Sequence, residues 1–168
     1  MKAKGVTTMP KTDYVIEPGK QEMISTTVLD APRELVFRAY TDPKLFAQWW
    51  GPRQYEIKID KFDSRPGGSW RVVQVAADGG QHAFRGVNHD VVAPERIVAT
   101  FEYEGVPGHV ALQTATFEPL GNKTRLVAQQ VFQSVADRDG MVASGMEQGA
   151  NESMERLAEL LEKMKSGK

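Results

Sequence analysis

The residue types that usually carry chemistry are thinly spread in this chain. Cysteine is absent, which excludes disulfides, thiol catalysis, iron–sulfur clusters and cysteine-ligated zinc. No Gly-x-Ser-x-Gly elbow presents a serine nucleophile. Gly140 and Gly145 have the outer spacing of a phosphate loop, but Met146 stands where such a loop needs lysine. His82 and His89 are seven apart, so an ideal strand places them on opposite faces, and His109 lies beside a turn. No histidine–carboxylate pair has ligand spacing, so neither a metal nor another cofactor is expected. Asp60, Asp63, Glu102 and Glu104 read as solvated strand or turn residues. Asp90 is the one acid singled out as a general base, which would require an apolar cavity to raise its pKa. No residue is assigned a catalytic role, and whether the protein is an enzyme stays open.

A second kind of chemistry, apolar binding, has more support. Ligand sites are mostly hydrophobic with a few polar anchors. Trp49, Trp70, Phe84, Phe101, Tyr103, Phe117, Gln130 and Met146 form the candidate ligand-binding set. Taken singly, each aromatic reads first as plain core. Strand alternation puts Ile97, Ala99, Phe101 and Tyr103 on one face, and Leu126, Ala128, Gln130 and Phe132 on another. These sets are assigned to a concave side, where Ala99 and Ala128 leave space. Gln113, Gln130, Asn88, His89 and Asp90 are the candidate polar anchors, since each interrupts an otherwise apolar strand text.

The elements that would hold these residues follow from period and punctuation. Met23–Leu29 is β-branched and reads as a strand. Asp30-Ala-Pro32 and Thr41-Asp-Pro43 are two helix starts, and Gly51-Pro52 stops the second helix. Residues 55–62, 69–75, 82–92, 96–104, 110–118 and 123–132 read as six further strands. Turn residues such as Arg65-Pro-Gly-Gly68 and Asp78-Gly-Gly80 separate them. With no helix between them, neighbours should pair antiparallel. From Asp137 to Met164, apolar residues step by three or four, which reads as one long amphipathic helix. Gly140, Gly145 and Gly149 within it either make room for a ligand or mark a bend or later start. Residues 1–21 read as a polar tail, with Tyr14-Val-Ile16 as a candidate short strand, and residues 22–168 as one folding unit.

The expected fold class is thus α+β: about seven antiparallel strands curved around a long C-terminal helix, with two short helices after the first strand. The 168 residues suit one domain, and 40% hydrophobic with 26% charged residues is an ordinary globular composition. Lysine plus arginine is 21 against 22 acidic residues, so no global charge favours nucleic acid. No signal peptide or apolar run long enough for membrane insertion is present, and a cytoplasmic protein is expected.

Ala31-Pro-Arg-Glu-Leu-Val-Phe37, Thr41-Asp-Pro43 and Trp49-Trp-Gly-Pro52 resemble the opening of the START-like (SRPBCC) superfamily, which has the birch-pollen-allergen fold. Arg65-Pro-Gly-Gly-Ser-Trp-Arg71 and Ala93-Pro-Glu-Arg-Ile-Val98 resemble its branch of homologues of the heat-shock chaperone ATPase activator, and Ser144-Gly-Met-Glu-Gln-Gly149 resembles a bacterial subgroup of that branch. The resemblance runs from about Met23 to Leu161 and implies a helix-grip fold enclosing an apolar cavity. The expected function is binding of a small hydrophobic molecule there. A cyclase- or hydrolase-type enzyme using the same cavity, a chaperone-interacting stress-response module and a homodimer are the alternatives. Eukaryotic activators of this branch carry a separate amino-terminal domain, and only about 22 residues precede the first expected strand, so chaperone contact is not the expected role.

Overall fold

The computed structural model describes residues 9–167. Among them the chain forms β1 (Thr12–Val15), β2 (Glu22–Leu29), α1 (Arg33–Thr41), α2 (Pro43–Trp49), β3 (Glu56–Phe62), β4 (Ser69–Val75), β5 (Gln81–Val92), β6 (Arg96–Tyr103), β7 (Val110–Leu120), β8 (Lys123–Val131), α3 (Val135–Ala143) and α4 (Met146–Lys165). All strands join one antiparallel sheet in the order β1-β2-β8-β7-β6-β5-β4-β3. The class is α+β, with eight strands rather than about seven. The additional strand is β1, which pairs Thr12 with Thr27 and Tyr14 with Ser25 on β2. Residues 1–8 of the expected tail lie outside the described residues.

The two short helices are separated where Asp42 precedes Pro43, because a residue before proline is pushed out of helical conformation. Asp42 also caps α2, accepting the Lys44 backbone N–H at 2.9 Å. The cap expected of Asp30 on α1 is not formed. Pro32 occupies the N-cap position without a side-chain cap, and Asp30 instead lies 3.6 Å from Lys165.

The single long helix expected from Asp137 to Met164 is two helices. Gly145 breaks it with φ at +83°, a left-handed conformation that glycine adopts without strain. Beyond the break, α4 buries Ser153, Leu157, Leu160 and Leu161 along one stripe. Arg156 bolts α4 to the end of α2 by donating to the carbonyls of Gln48 (3.0 Å), Trp50 (3.2 Å) and Gly51 (2.9 Å). Those of Gln48 and Trp50 are carbonyls that a helix end leaves without partners.

The main core gathers Leu29, Val36, Phe37, Phe46, Trp49, Val72, Phe117, Leu126, Leu157 and Leu161 under α1, α2 and α4. A smaller cluster of Met23, Ala111 and Phe132, joined by Met141, Val142 and Met146, lies under α3. Among the described residues no helix is long and apolar enough to cross a membrane.

Candidate ligand cavity

The inner face of the sheet carries small residues in rows, and the space above them is a cavity. The register pairs Asn88 with Ala99, Ala99 with Gln113 and Gln113 with Gln130, so these four stand side by side on β5, β6, β7 and β8. Neighbouring strands are about 4.8 Å apart, which puts the two glutamine side chains within reach of each other. The adjacent row is Ile97, Ala115, Ala128, Ser25 and Tyr14. Both rows line a cavity of about 270 Å³, roofed by Ala150, Ser153 and Met154 of α4. That volume is at the lower edge of the roughly 300–1,000 Å³ typical of small-molecule pockets.

Aromatic side chains close the sides. Trp49 is fixed by its indole N–H, which donates to the Ala39 carbonyl at 2.9 Å. Phe46 and Trp50 stack with ring centroids 5.7 Å apart, and both line the cavity. Trp70 leans toward Phe101, 6.0 Å away. Its indole lies over Gly86, its partner on β5. A Cβ there would collide with the Thr100 carbonyl oxygen and come within 2.6 Å of the indole nitrogen. Tyr14 closes the β1 side, donating to Asn151 Oδ1 on α4 at 2.8 Å.

The lining is electrically quiet. It contains no Asp, Glu, Lys, Arg or His side chain. Its titratable groups are two tyrosines. Tyr40 is enclosed by protein while one side of it fronts the cavity, and burial pushes its pKa well above the ordinary tyrosine value. Tyr14 is also shifted upward, by burial and then by the charge of Glu147. Both therefore stay protonated at neutral pH.

Asp90 is not in this cavity. A bulge at His89 shifts the register, so that Asn88 pairs with inward-facing Ala99 but Asp90 pairs with Val98 on the outer face. There Asp90 forms a 2.7 Å ion pair with Arg96. His82 Nδ1 lies 2.7 Å from the Tyr103 hydroxyl, and His109 Nδ1 lies 2.9 Å from Asp137. Among the described residues no three His, Asp or Glu side chains come together so as to hold a metal ion.

Of the eight residues singled out from sequence, Trp49, Trp70, Phe101 and Gln130 line the cavity together. Tyr103 lines a second cavity of about 400 Å³ under α3, which Phe101 also borders. Phe84 stacks on Phe101 and Tyr103 and meets Trp50 edge-on, without lining either space. Phe117 is buried in the main core against Phe37 and Tyr40, and Met146 packs in the cluster under α3. Tyr14, Tyr40, Ser25 and Met154 line the cavity as well, though they were not among the eight. Met154 had a signal in the helical stripe, while Tyr14 lay in a segment whose composition reads as tail.

A single antiparallel sheet crossed by a C-terminal helix, with two short helices between its early strands, defines the START-like fold. The chain belongs to the family described as Activator of Hsp90 ATPase homolog 1-like protein, whose model matches residues 30–162. A crystal structure of a Chromobacterium violaceum protein is 31% identical, covering 84% of this chain and 97% of that one with a TM-score of 0.76. A solution structure of an Arthrobacter aurescens protein is 23% identical, covers 93% of both chains and superposes with a TM-score of 0.83. A Staphylococcus epidermidis protein is 27% identical over 89% of this chain and 94% of that one, with a TM-score of 0.74. No curated protein sequence matches the chain significantly.

Proposed function

We propose that the protein binds a small hydrophobic molecule in the cavity between the sheet and α4. The observation that carries this reading is the combination of an open 270 Å³ space with an uncharged lining of aromatic, small aliphatic and neutral polar side chains. Burying apolar ligand surface there is worth about 25 cal/mol per Å² before the costs of association are subtracted. Ala99, Ala115 and Ala128 support the reading, because a sheet face built only for core packing would fill those positions with larger side chains.

An enzyme working by acid–base chemistry in the same cavity is less well supported. Such a reaction needs a group that exchanges a proton near working pH. The two lining tyrosines hold theirs more tightly than usual, and no lining carboxylate or histidine is available.

Thermal unfolding with a panel of small neutral aromatic and aliphatic compounds tests the binding reading. A ligand at a hundredfold excess over its Kd should raise Tm by roughly 5–10 °C. No shift with any compound, together with no small molecule in an organic extract of the purified protein, would contradict it.

A further inference from the structure

We infer that the molecule held in this cavity is neutral, with an apolar body and one hydrogen-bonding head, a carbonyl or a hydroxyl, seated on the Gln113–Gln130 amide pair. The inference rests on the binding reading above and specifies the chemical class of its ligand.

Gln113 and Gln130 are direct partners in the β7–β8 register, and both line the cavity. Among the described residues neither side chain has a protein hydrogen-bond partner. Their neighbour Gln129 behaves differently, donating to Glu22 at 2.7 Å. Both amides are half-buried and front space that water can reach, and among the described residues no fully buried side-chain polar atom lacks a partner. A ligand that displaces that water without replacing its hydrogen bonds costs about 1–3 kcal/mol for each group left bare, so the pair favours an occupant that brings a polar atom. Asn88, in the same row beyond Ala99, also lines the cavity but has its Nδ2 committed to the Asp63 carbonyl at 2.8 Å. The Tyr40 hydroxyl lies on the same cavity and also lacks a protein partner among the described residues. Glutamine amides both donate and accept, so they suit a carbonyl or a hydroxyl alike.

The remainder of the lining argues against a charged head. Trp70, Phe101, Leu126 and Met154 line the same cavity, and no cationic or anionic side chain fronts the space. A carboxylate or ammonium drawn in from water would lose its hydration with no counter-charge in return. A pure hydrocarbon would leave both amides unsatisfied. A neutral polar head avoids both costs.

Calorimetric titration at pH 7 with naphthalene, 2-acetonaphthone and 2-naphthoate separates these cases, since the three share one apolar body. The ketone should bind about tenfold more tightly than naphthalene, the discrimination that one satisfied buried hydrogen bond gives, and at least tenfold more tightly than the carboxylate. In Gln113→Leu/Gln130→Leu, which keeps side-chain volume nearly constant, the ketone should lose its advantage and match naphthalene within about twofold. Equal binding of ketone and naphthalene to the unaltered protein, preference for the carboxylate, or an advantage that survives the double substitution would each overturn the inference. Should the double variant not fold, the ranking of the three compounds on the unaltered protein decides alone. Failure of all three to bind contradicts the cavity reading itself, and the head-group assignment falls with it.

Discussion

Gly86 illustrates how the cavity wall is made at the level of single residues. A side chain at Gly86 would run first into the Thr100 carbonyl oxygen and then into the Trp70 indole, its cross-strand neighbour. Gly86→Ala should therefore destabilise the protein by about 1–3 kcal/mol, the usual cost of forcing atoms into a filled site. Tryptophan fluorescence should change with the displaced indole, and unaltered stability and emission would show that the contact does not constrain Trp70. Another residue-scale expectation concerns acid. The Gly108 backbone N–H at 2.7 Å and the Arg85 guanidinium at 2.9 Å both donate to Glu102 and hold its pKa below the ordinary 4.5. A depressed folded-state pKa contributes stability in full above the unfolded value and loses it as pH falls toward the folded one. Glu102→Gln should thus flatten the decline in stability below about pH 4.5, measured by urea unfolding across pH; an unchanged slope would contradict this. Trp49, Trp70, Phe101 and Gln130 were legible because aromatic content and strand alternation are both written in the sequence. Asp90 was not. The bulge at His89 inserts one residue, so a side chain that simple alternation groups with Asn88 points the opposite way.

Among the elements, the strands of the β3–β8 meander were readable because each is bounded by turn residues and pairs with its neighbour. Two elements were legible only in part: residues 14–16 were a candidate short strand, and the three glycines marked a bend or later start of the helix without saying which. β1 is four residues of TDYV in polar surroundings, and what holds it is remote: pairing with β2 and the Tyr14–Asn151 hydrogen bond. The break between α3 and α4 depends on which of three glycines leaves the helix, and spacing alone did not single out Gly145. The break yields a sharp expectation. In a continuous helix Gly145→Ala would stabilise by roughly 1 kcal/mol, but at a left-handed residue it should destabilise by about 1–2 kcal/mol. Thermal unfolding gives the sign directly. If β1 closes the cavity, Tyr14→Ala should weaken binding of a neutral aromatic probe and speed its dissociation in stopped-flow fluorescence. Unchanged rates would leave β1 no part in closure.

At the scale of the whole molecule, the core is divided. One cluster under α1, α2 and α4 anchors the helices, and a smaller one lies under α3. The alanine and amide rows on the sheet's inner face border the space beneath the helices without filling it. The antiparallel sheet, the C-terminal helix and the family resemblance were legible in the sequence, but not the volume enclosed, because a void depends on how far α4 stands from the strands. Filling that void is the most direct test. Ala128→Leu adds hydrocarbon to the cavity floor while removing nothing. The variant should unfold at or near the temperature of the unaltered protein, yet bind 2-acetonaphthone at least tenfold more weakly by calorimetry. A folded Ala128→Leu protein that binds the ketone as tightly as before would place the ligand elsewhere and contradict the account.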